Sequence, residues 1–278
     1  MIKINSIEIV PKRFPDGTYC LLDMPMTELN GSAEMQLNNE VIFNWNFESE
    51  EEIIFLWYLI NHCKAHFSKQ LTYILYMRYV PGARMDRVKN KSEVFTLKYF
   101  AKLINTMGFD QVILLDPHSN VATSLFENGS AYQPITTIEQ VISIAEMDGE
   151  LVLYFPDEGA MKRYKDAFPK YKFLYGEKKR DWETGKILGL DLRGNIEEIA
   201  NPVFLMIDDI CSYGGTFYHS AKALKDAFPN STIYSYSTHT ENYFPTLDKA
   251  FDDALIKKHF TTNSIYNKKH PNINTFLC

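Results

Sequence analysis

Two aspartates beside a glycine-containing loop form the stretch of the sequence best suited to chemistry. In VFLMIDDICSYGGTF, residues 203–217, an apolar run leads into Asp208 and Asp209. The loop that follows offers hydroxyls, glycines and backbone N–H groups: Ser212, Tyr213, Gly214, Gly215 and Thr216. Open parallel sheets bind ligands beyond the carboxyl ends of their strands, where helix N-termini offer unpaired N–H groups. The stretch therefore predicts a phosphate-binding loop.

The two carboxylates restrict which ligand this loop can hold. Carboxylates beside an anion repel it unless they bind hydroxyl groups or a cation. Ribose 5-phosphate has both a phosphate and a vicinal diol, so we expect Asp208 and Asp209 to hold the sugar hydroxyls. The patterns GxxxxGK[ST] and GxGxxG are absent, which argues against P-loop and Rossmann nucleotide sites. An acidic strand end with an ordinary glycine-rich turn is the alternative for this stretch taken alone.

Composition and charge favour a globular protein that acts on small molecules. The chain has 278 residues, of which 45% are apolar, and its net charge is -6. This length suits one large α/β domain or two lobes. A negative chain has no general attraction for nucleic acid, so anionic substrates would need a local basic cluster or a bound metal. We expect small-molecule partners and no nucleic acid.

The sequence shows no signal for export or membrane insertion. The amino-terminal stretch MIKINSIEIVPKR lacks the pattern of a secretory signal, and the longest apolar run, residues 53–60, is far shorter than the roughly 20 residues of a membrane span. The cysteines show no CxxC pairing: Cys20, Cys63, Cys211 and Cys278. We expect a cytoplasmic protein with reduced thiols and no membrane association.

The elements that must position these residues form two similar series. Residues 1–48 predict antiparallel strands, and a capped helix is predicted from Ser49 to about His66. Apolar runs then alternate with helical patterns, which predicts βαβ units. The predicted strands are 71–77, 111–116, 151–155, 172–176, 203–207 and 231–239, and the predicted helices are 92–107, 137–147, 158–168 and 217–227. The fold class is α/β, with two lobes, residues 1–148 and 149–278, each a mostly parallel sheet flanked by helices.

Four segments resemble motifs of known families. VFLMIDDICSYGGT resembles the binding loop of type I phosphoribosyltransferases. YVPGARMDR (79–87), LLDPHSNVATSLF (114–126) and FPDEGAMKRY (155–164) are similar, in that order, to the PYARQD, DLH…GFF and SPDAGG…KR motifs of ribose-phosphate pyrophosphokinases. The resemblance implies two phosphoribosyltransferase-like lobes. It also implies transfer of the β,γ-diphosphoryl group of ATP to the 1-hydroxyl of ribose 5-phosphate, with release of AMP.

The resemblance assigns two segments to ATP. Arg84 and Asp86 match the family's ATP-contacting segment, whereas Met85 stands where the family commonly has glutamine. FPDGT (14–18) is weakly similar to a segment that stacks on adenine from a neighbouring subunit, and Phe14 and Asp16 match it. A simple Pro-Asp-Gly turn is the alternative for that segment.

The metal and catalytic residues follow from the same resemblance. Asp116, His118 and Asp157 match positions that hold Mg²⁺, a cation that prefers oxygen ligands. His118 is also assigned to ATP binding and catalysis. GEKKRDWETGKILG (176–189) resembles the family's mobile catalytic loop, in which Lys178 and Arg180 match. Residues two apart in an extended backbone point the same way, so both cations are expected to neutralise the transferring phosphates. A solvated charge run is the alternative.

One departure within the loop leaves other activities open. Ser212 replaces an aspartate common in these synthetases, which makes the loop less acidic and closer to the transferases. A phosphoribosyltransferase that consumes phosphoribosyl pyrophosphate and a catalytically silent phosphoribosyl-binding regulator are the alternatives. The resemblance implies ATP and ribose 5-phosphate as substrates and a homo-oligomer of two or more subunits. Its divergent, bacteriophage-like character implies a nicotinamide phosphoribosyltransferase as pathway partner.

Overall fold

The chain folds into two compact units, Met1–Gln133 and Pro134–Cys278. The computed structural model describes residues 1–67, 70–180, 187–194 and 199–278, with side chains for all of these except 178–180 and 187–189. Each unit has a mostly parallel sheet flanked by helices, so the predicted fold class is confirmed.

The first unit is built on a six-stranded sheet. Its strands are β1 (Ile2–Ile4), β2 (Ile7–Ile9), β3 (Lys12–Arg13), β4 (Tyr19–Cys20), β5 (Glu40–Trp45), β6 (Thr72–Met77), β7 (Gln111–Leu115) and β8 (Gly129–Tyr132). Its helices are α1 (Met26–Asn30), α2 (Glu52–His66), α3 (Thr96–Asn105) and α4 (Asn120–Leu125), and a π-helical turn spans Glu34–Asn38. The sheet order is β2-β1-β5-β6-β7-β8, with β3 and β4 in a separate hairpin. Strand β1 is antiparallel to β2 and β5, and β5 to β8 are parallel.

Two helices of this unit begin later than the sequence predicts. Helix α2 begins at Glu52, not Ser49, and the Glu52 carboxylate accepts hydrogen bonds from the Trp45 indole (2.9 Å) and the Glu48 N–H (2.8 Å). Helix α3 begins at Thr96, because residues 89–93 form side-chain-to-backbone turns that compete with a helix.

The second unit is built on a seven-stranded sheet. Its strands are β9 (Leu151–Phe155), β10 (Phe173–Arg180), β11 (Ile187–Gly194), β12 (Val203–Cys211), β13 (Thr232–Thr240), β14 (Lys258–Thr262) and β15 (Ile273–Phe276). Its helices are α5 (Ile135–Ala145), α6 (Glu158–Tyr164), α7 (Gly215–Ala227) and α8 (Pro245–Asp252), with 3-10 turns at Glu146–Asp148 and Lys165–Ala167. The order is β11-β10-β9-β12-β13-β14-β15, and β10 and β11 form the antiparallel pair of its described strands.

Two features of the second unit differ from the sequence prediction. Helix α5 packs its buried face, Ile138, Val141, Ile142 and Ala145, into the same core as Leu153. The compact units therefore divide at 133 and 134, whereas the sequence placed the lobe boundary at 148 and 149. The predicted catalytic loop also begins and ends within strands, since β10 extends to Arg180 and β11 begins at Ile187.

The four cysteines are unbridged thiols, as expected. In the part of the chain that the structure describes, no helix combines the length and apolar character needed to cross a membrane.

Candidate active site

Three aspartates meet near the carboxyl ends of the adjacent parallel strands β9 and β12. Asp157 follows β9 and caps helix α6, where its carboxylate accepts a hydrogen bond from the Ala160 N–H (3.1 Å). Asp208 and Asp209 lie in the last part of β12, whose preceding residues are buried. The apolar strand thus fixes the two carboxylates at the sheet edge where ligands of such folds bind.

Asp208 and Asp209 have different electrostatic surroundings. Asp209 is buried, and its Oδ2 lies 3.5 Å from Nη1 of Arg163, a side chain on α6 that is only 18% exposed. The Asp209 N–H donates to Asp208 Oδ1 (2.9 Å). Burial first, then the charges of Asp209 and Asp157, raise the pKa of Asp208 well above its usual value. The pair is therefore asymmetric, with the cation on the Asp209 side.

Sequence reasoning did not single out Arg163. The signal available was a basic residue in FPDEGAMKRY, on the helix that follows the strand-end Asp157. Its neighbour Lys162 is exposed and pairs with Glu158 on the helix surface, so only the fold distinguishes the two cations.

The loop after β12 is held rigidly by helix α8. Gly214 has φ of +86°, and a Cβ there would lie 2.4 Å from the Leu247 N and 2.5 Å from the Leu247 Cβ. The Tyr213 carbonyl accepts hydrogen bonds from the N–H groups of Thr246 (2.9 Å) and Leu247 (3.2 Å). Helix α7 begins at Gly215, whose Cβ position has no atom within 4 Å. Residues 213 and 214 are thus fixed against α8, while the N-terminus of α7 is open. An open helix N-terminus favours the binding of an anion.

The loop hydroxyls differ in their partners. Thr216 is exposed in the first turn of α7, whereas the half-buried Ser212 donates its hydroxyl hydrogen to the carboxylate of Glu241 (2.5 Å). Glu241 directly follows β13, and its N–H donates to the Cys211 carbonyl (2.8 Å). Sequence reasoning missed Glu241, because only the pairing of β12 with β13 brings it to the loop.

A buried polar network lies beneath this loop. The ring of His259 on β14 hydrogen-bonds Ser235 through Nδ1 (2.8 Å) and Thr240 and Ser237 through Nε2 (2.9 and 3.2 Å). It also packs edge-on against Phe217 in the first turn of α7, with 5.4 Å between ring centroids. Burial lowers the pKa of His259 to about 3, so the ring is neutral at physiological pH. The network supports β13 and α7, which flank the loop.

In the first unit, two predicted ATP residues lie after strand β6. Arg84 and Met85 are exposed, whereas Asp86 is buried and accepts hydrogen bonds from Nε (2.7 Å) and Nη2 (3.1 Å) of Arg87. These hydrogen bonds are the main reason that the pKa of Asp86 is lowered, and the charge of His118 contributes. Asp86 and His118 therefore lie within electrostatic range of each other.

Asp116 and His118 follow β7, the strand next to β6. Asp116 is buried with φ of +40°, a conformation that is strained for most residues and tolerated best by Asn and Asp. Its N–H donates to the Tyr132 carbonyl (2.8 Å), which fixes the bend. Backbone strain of this kind is often found at functional sites.

Phe14 and Asp16 form the turn between β3 and β4. The Phe14 N–H donates to the Thr18 carbonyl (2.9 Å), and the Asp16 carboxylate accepts from the Thr18 N–H (2.9 Å) and hydroxyl (2.7 Å). These bonds, the backbone one first, lower the pKa of Asp16. The segment is thus a closed turn with Phe14 half exposed, and its contact with ATP stays a prediction.

Lys178 and Arg180 lie on β10, where the register with β11 shifts between Lys179 and Arg180. Their side chains lie outside the described part of the structure, so their catalytic role stays a prediction.

The predicted magnesium residues are divided between the two units. Asp116 and His118 belong to the first unit, and Asp157 belongs to the second. Among the residues described, no group of three or more His, Cys, Asp or Glu side chains is arranged to hold a metal ion.

Sequence comparison finds ribose-phosphate pyrophosphokinases, although no protein-family model matches the chain. Ribose-phosphate pyrophosphokinase 1 of Listeria innocua is 28% identical over 193 residues, which cover 68% of this chain and 58% of the relative. The chloroplastic ribose-phosphate pyrophosphokinase 2 of Oryza sativa is 25% identical, covering 79% of this chain and 54% of the relative. The ribose-phosphate pyrophosphokinase of Sulfurisphaera tokodaii is 24% identical, covering 95% of this chain and 87% of the relative. The chain thus matches little more than half the length of the first two.

Structural comparison agrees with the sequence comparison. The crystal structure of phosphoribosylpyrophosphate synthetase from Mycobacterium smegmatis superposes with a TM-score of 0.73 at 16% identity, covering 98% of this chain and 88% of that one. At this identity the match shows the fold. The chain is therefore similar in sequence to ribose-phosphate pyrophosphokinases and has the fold of a phosphoribosylpyrophosphate synthetase.

Proposed function

We propose that this chain synthesises 5-phosphoribosyl 1-pyrophosphate by transferring the diphosphoryl group of ATP to the 1-hydroxyl of ribose 5-phosphate, with AMP as second product. The observation that carries the proposal is the edge formed by β12 and α7. There an asymmetric aspartate pair precedes an anchored anion loop, which matches the diol and the phosphate of one ligand. The three sequence relatives described above are each named ribose-phosphate pyrophosphokinase, which favours this activity over the alternatives.

The second unit would bind the acceptor. Residues 212–216 hold the 5-phosphate through backbone N–H groups and the Thr216 hydroxyl, at the positive end of α7. Asp209, which lies 3.5 Å from the Arg163 guanidinium, accepts hydrogen bonds from a sugar hydroxyl. Asp208, whose pKa is raised, supplies a second group that can accept from or donate to the diol.

The first unit would bind the donor nucleotide. Arg84 is exposed and suits a phosphate oxygen pair or an adenine face. Asp86, held by Arg87, and the adjacent His118 form the wall of the nucleotide site, and Phe14 and Asp16 contact the adenine of a neighbouring subunit. Transfer itself needs charge neutralisation more than covalent catalysis, which we assign to Lys178 and Arg180 with His118.

Magnesium is the cofactor that this donor set suits. Mg²⁺ is usually bound through one or two carboxylates together with substrate phosphates and water, so no three-residue cage is required. In the first unit, the buried Asp116 carboxylate is held in a strained bend and offers an oxygen donor, with His118 two residues along; in the second unit, Asp157 offers another. When bound, the ion would neutralise charge on the transferred group.

A coupled product assay tests the proposed function. The purified protein is incubated with ATP, ribose 5-phosphate and magnesium chloride, and AMP and phosphoribosyl pyrophosphate are quantified by chromatography. We expect equimolar products that depend on both substrates and disappear with excess EDTA. AMP formation that is independent of ribose 5-phosphate, or no AMP at saturating substrates, would contradict the proposal.

The cellular setting is part of the same proposal. We place the enzyme in the cytoplasm as a homo-oligomer of at least two subunits, with its product passed to a nicotinamide phosphoribosyltransferase. Light scattering of the purified chain tests the subunit number directly.

A further inference from the structure

We propose that Glu241 limits the affinity of the phosphate loop by competing with the ligand phosphate for the Ser212 hydroxyl. This inference rests on the proposed function for the identity of its ligand, and it assigns a role to a residue that neither motif nor resemblance identified.

The Glu241 carboxylate affects how the loop binds a phosphate. A serine hydroxyl has one hydrogen, and an ionised carboxylate can only accept, so Ser212 must donate to Glu241 in this structure. That hydrogen is then unavailable to a phosphate oxygen. The charge of Glu241 also repels an anion on the same hydroxyl. Both effects weaken the loop's hold on a phosphate.

The backbone keeps Glu241 at the loop. Its N–H donates to the Cys211 carbonyl (2.8 Å), which continues the β12 to β13 pairing past the strand end. On one side Thr240 is tied to His259 (2.9 Å), and on the other the Asn242 side chain donates to the Ile265 carbonyl (3.0 Å). Ser212 is followed by the anchored pair Tyr213 and Gly214. Release of Ser212 therefore requires rotation of a side chain, not movement of the loop.

The competition between Glu241 and the phosphate for Ser212 weakens ground-state binding. A loop that gains its last hydrogen bond only when Glu241 releases Ser212 binds its ligand less tightly than its donors would allow. Weaker ground-state binding favours turnover when substrate is plentiful, because tight uniform binding does not accelerate chemistry. Glu241 thus acts through Ser212 as a positioning residue.

Titration calorimetry with a double-mutant cycle tests this role. Ribose 5-phosphate and inorganic phosphate are titrated into the wild type, Glu241→Gln, Ser212→Ala and the double variant. Glu241→Gln should tighten binding roughly fivefold, because the repulsive charge is lost and the neutral amide can donate to Ser212, which leaves the serine hydrogen for about one hydrogen bond to the phosphate. Ser212→Ala should reduce affinity several-fold more in the Glu241→Gln background than in the wild type. Glu241→Ala, which removes the acceptor, should also tighten binding.

The control is Glu150→Gln, which removes one negative charge from an exposed ion pair with Lys172 at the opposite end of the strands. It should leave both affinities unchanged. Weaker or unchanged binding in both Glu241 variants, or equal Ser212→Ala effects in both backgrounds, would overturn the inference. If the wild type binds neither probe, binding that appears in Glu241→Gln supports it and continued absence overturns it. AMP formation plays no part in these measurements, so failure of the proposed function is distinguished from failure of this inference.

Discussion

At the scale of single residues, the neighbouring aspartates Asp208 and Asp209 on β12 differ in their charged surroundings. Asp209 is buried against Arg163, whereas burial and two nearby carboxylates raise the pKa of Asp208. Asparagine substitutions of the two residues should therefore change stability in opposite directions.

For Asp208→Asn we expect stabilisation that grows with pH. The folded state retains the Asp208 proton above the usual pKa of 3.8, at which the unfolded chain loses it. Wild-type stability therefore falls from about pH 3.8 upward through the raised pKa, and asparagine removes this loss. The gain in the free energy of unfolding should be present at neutral pH and absent below the unfolded pKa. Circular dichroism of urea unfolding between pH 3 and 8 measures it.

For Asp209→Asn we expect destabilisation of roughly 2 kcal/mol, because the mostly buried Arg163 guanidinium loses the carboxylate that lies 3.5 Å away. Arg163→Met should weaken the binding of ribose 5-phosphate. Arg163→Lys, which keeps the positive charge, should bind more tightly than Arg163→Met. Lys162→Gln, on the same helix but exposed, is the matched control. Shifts of equal sign for the two aspartate variants would argue against the asymmetry.

At the scale of elements, the fold requires only one of the two glycines between β12 and α7. Gly214→Ala combines a positive φ with overlap of the Leu247 backbone, so we expect a loss of more than about 2 kcal/mol and failure to bind ribose 5-phosphate. Gly215→Ala meets no atom within 4 Å and should change the unfolding free energy little. Thermal unfolding followed by circular dichroism compares them, and similar losses for both would contradict the role of Leu247.

Strand β10 contains Lys178 and Arg180, the two residues predicted to be catalytic. Lys178→Ala and Arg180→Ala should each lower kcat by orders of magnitude while ribose 5-phosphate affinity changes little, because their charges act on the transferring phosphates. Arg193→Gln, which breaks an exposed ion pair with Glu177 on the same hairpin, is the control. Steady-state kinetics measures kcat, and calorimetry measures the affinity for ribose 5-phosphate. Loss of affinity with normal kcat would exclude the assigned role.

The sequence predicted elements well where a single local pattern decides them. Apolar runs gave β9 with its observed bounds and the cores of β6, β7 and β12. Local patterns could not give the starts of α2 and α3, which depend on side chains such as Glu52 and Glu93 bonding to the backbone. They also could not give Arg163 and Glu241, because each acquires its partner only through pairing of strands or packing of a helix.

At the scale of the whole molecule, the two units should respond to different ligands. Ribose 5-phosphate should slow hydrogen exchange in residues 208–216 of the second unit, and MgATP should slow it in residues 84–87 and 116–119 of the first. Exchange measured by mass spectrometry with each ligand alone tests the assignment. Residues 232–240, whose exchange is limited by the sheet, provide an internal reference. Slower exchange in residues 212–216 with MgATP alone would contradict the assignment of MgATP to the first unit.

The polar network around His259 also has a consequence for how the second sheet assembles. His259 pairs with Ser235 across β13 and β14, while the next residue, Phe260, faces an apolar core on the opposite side. A slip of one residue would exchange the two faces, leaving the imidazole among apolar side chains and the phenyl ring among hydroxyls. Because both exchanges are unfavourable, the network and the core together disfavour a one-residue shift in the pairing of β13 with β14.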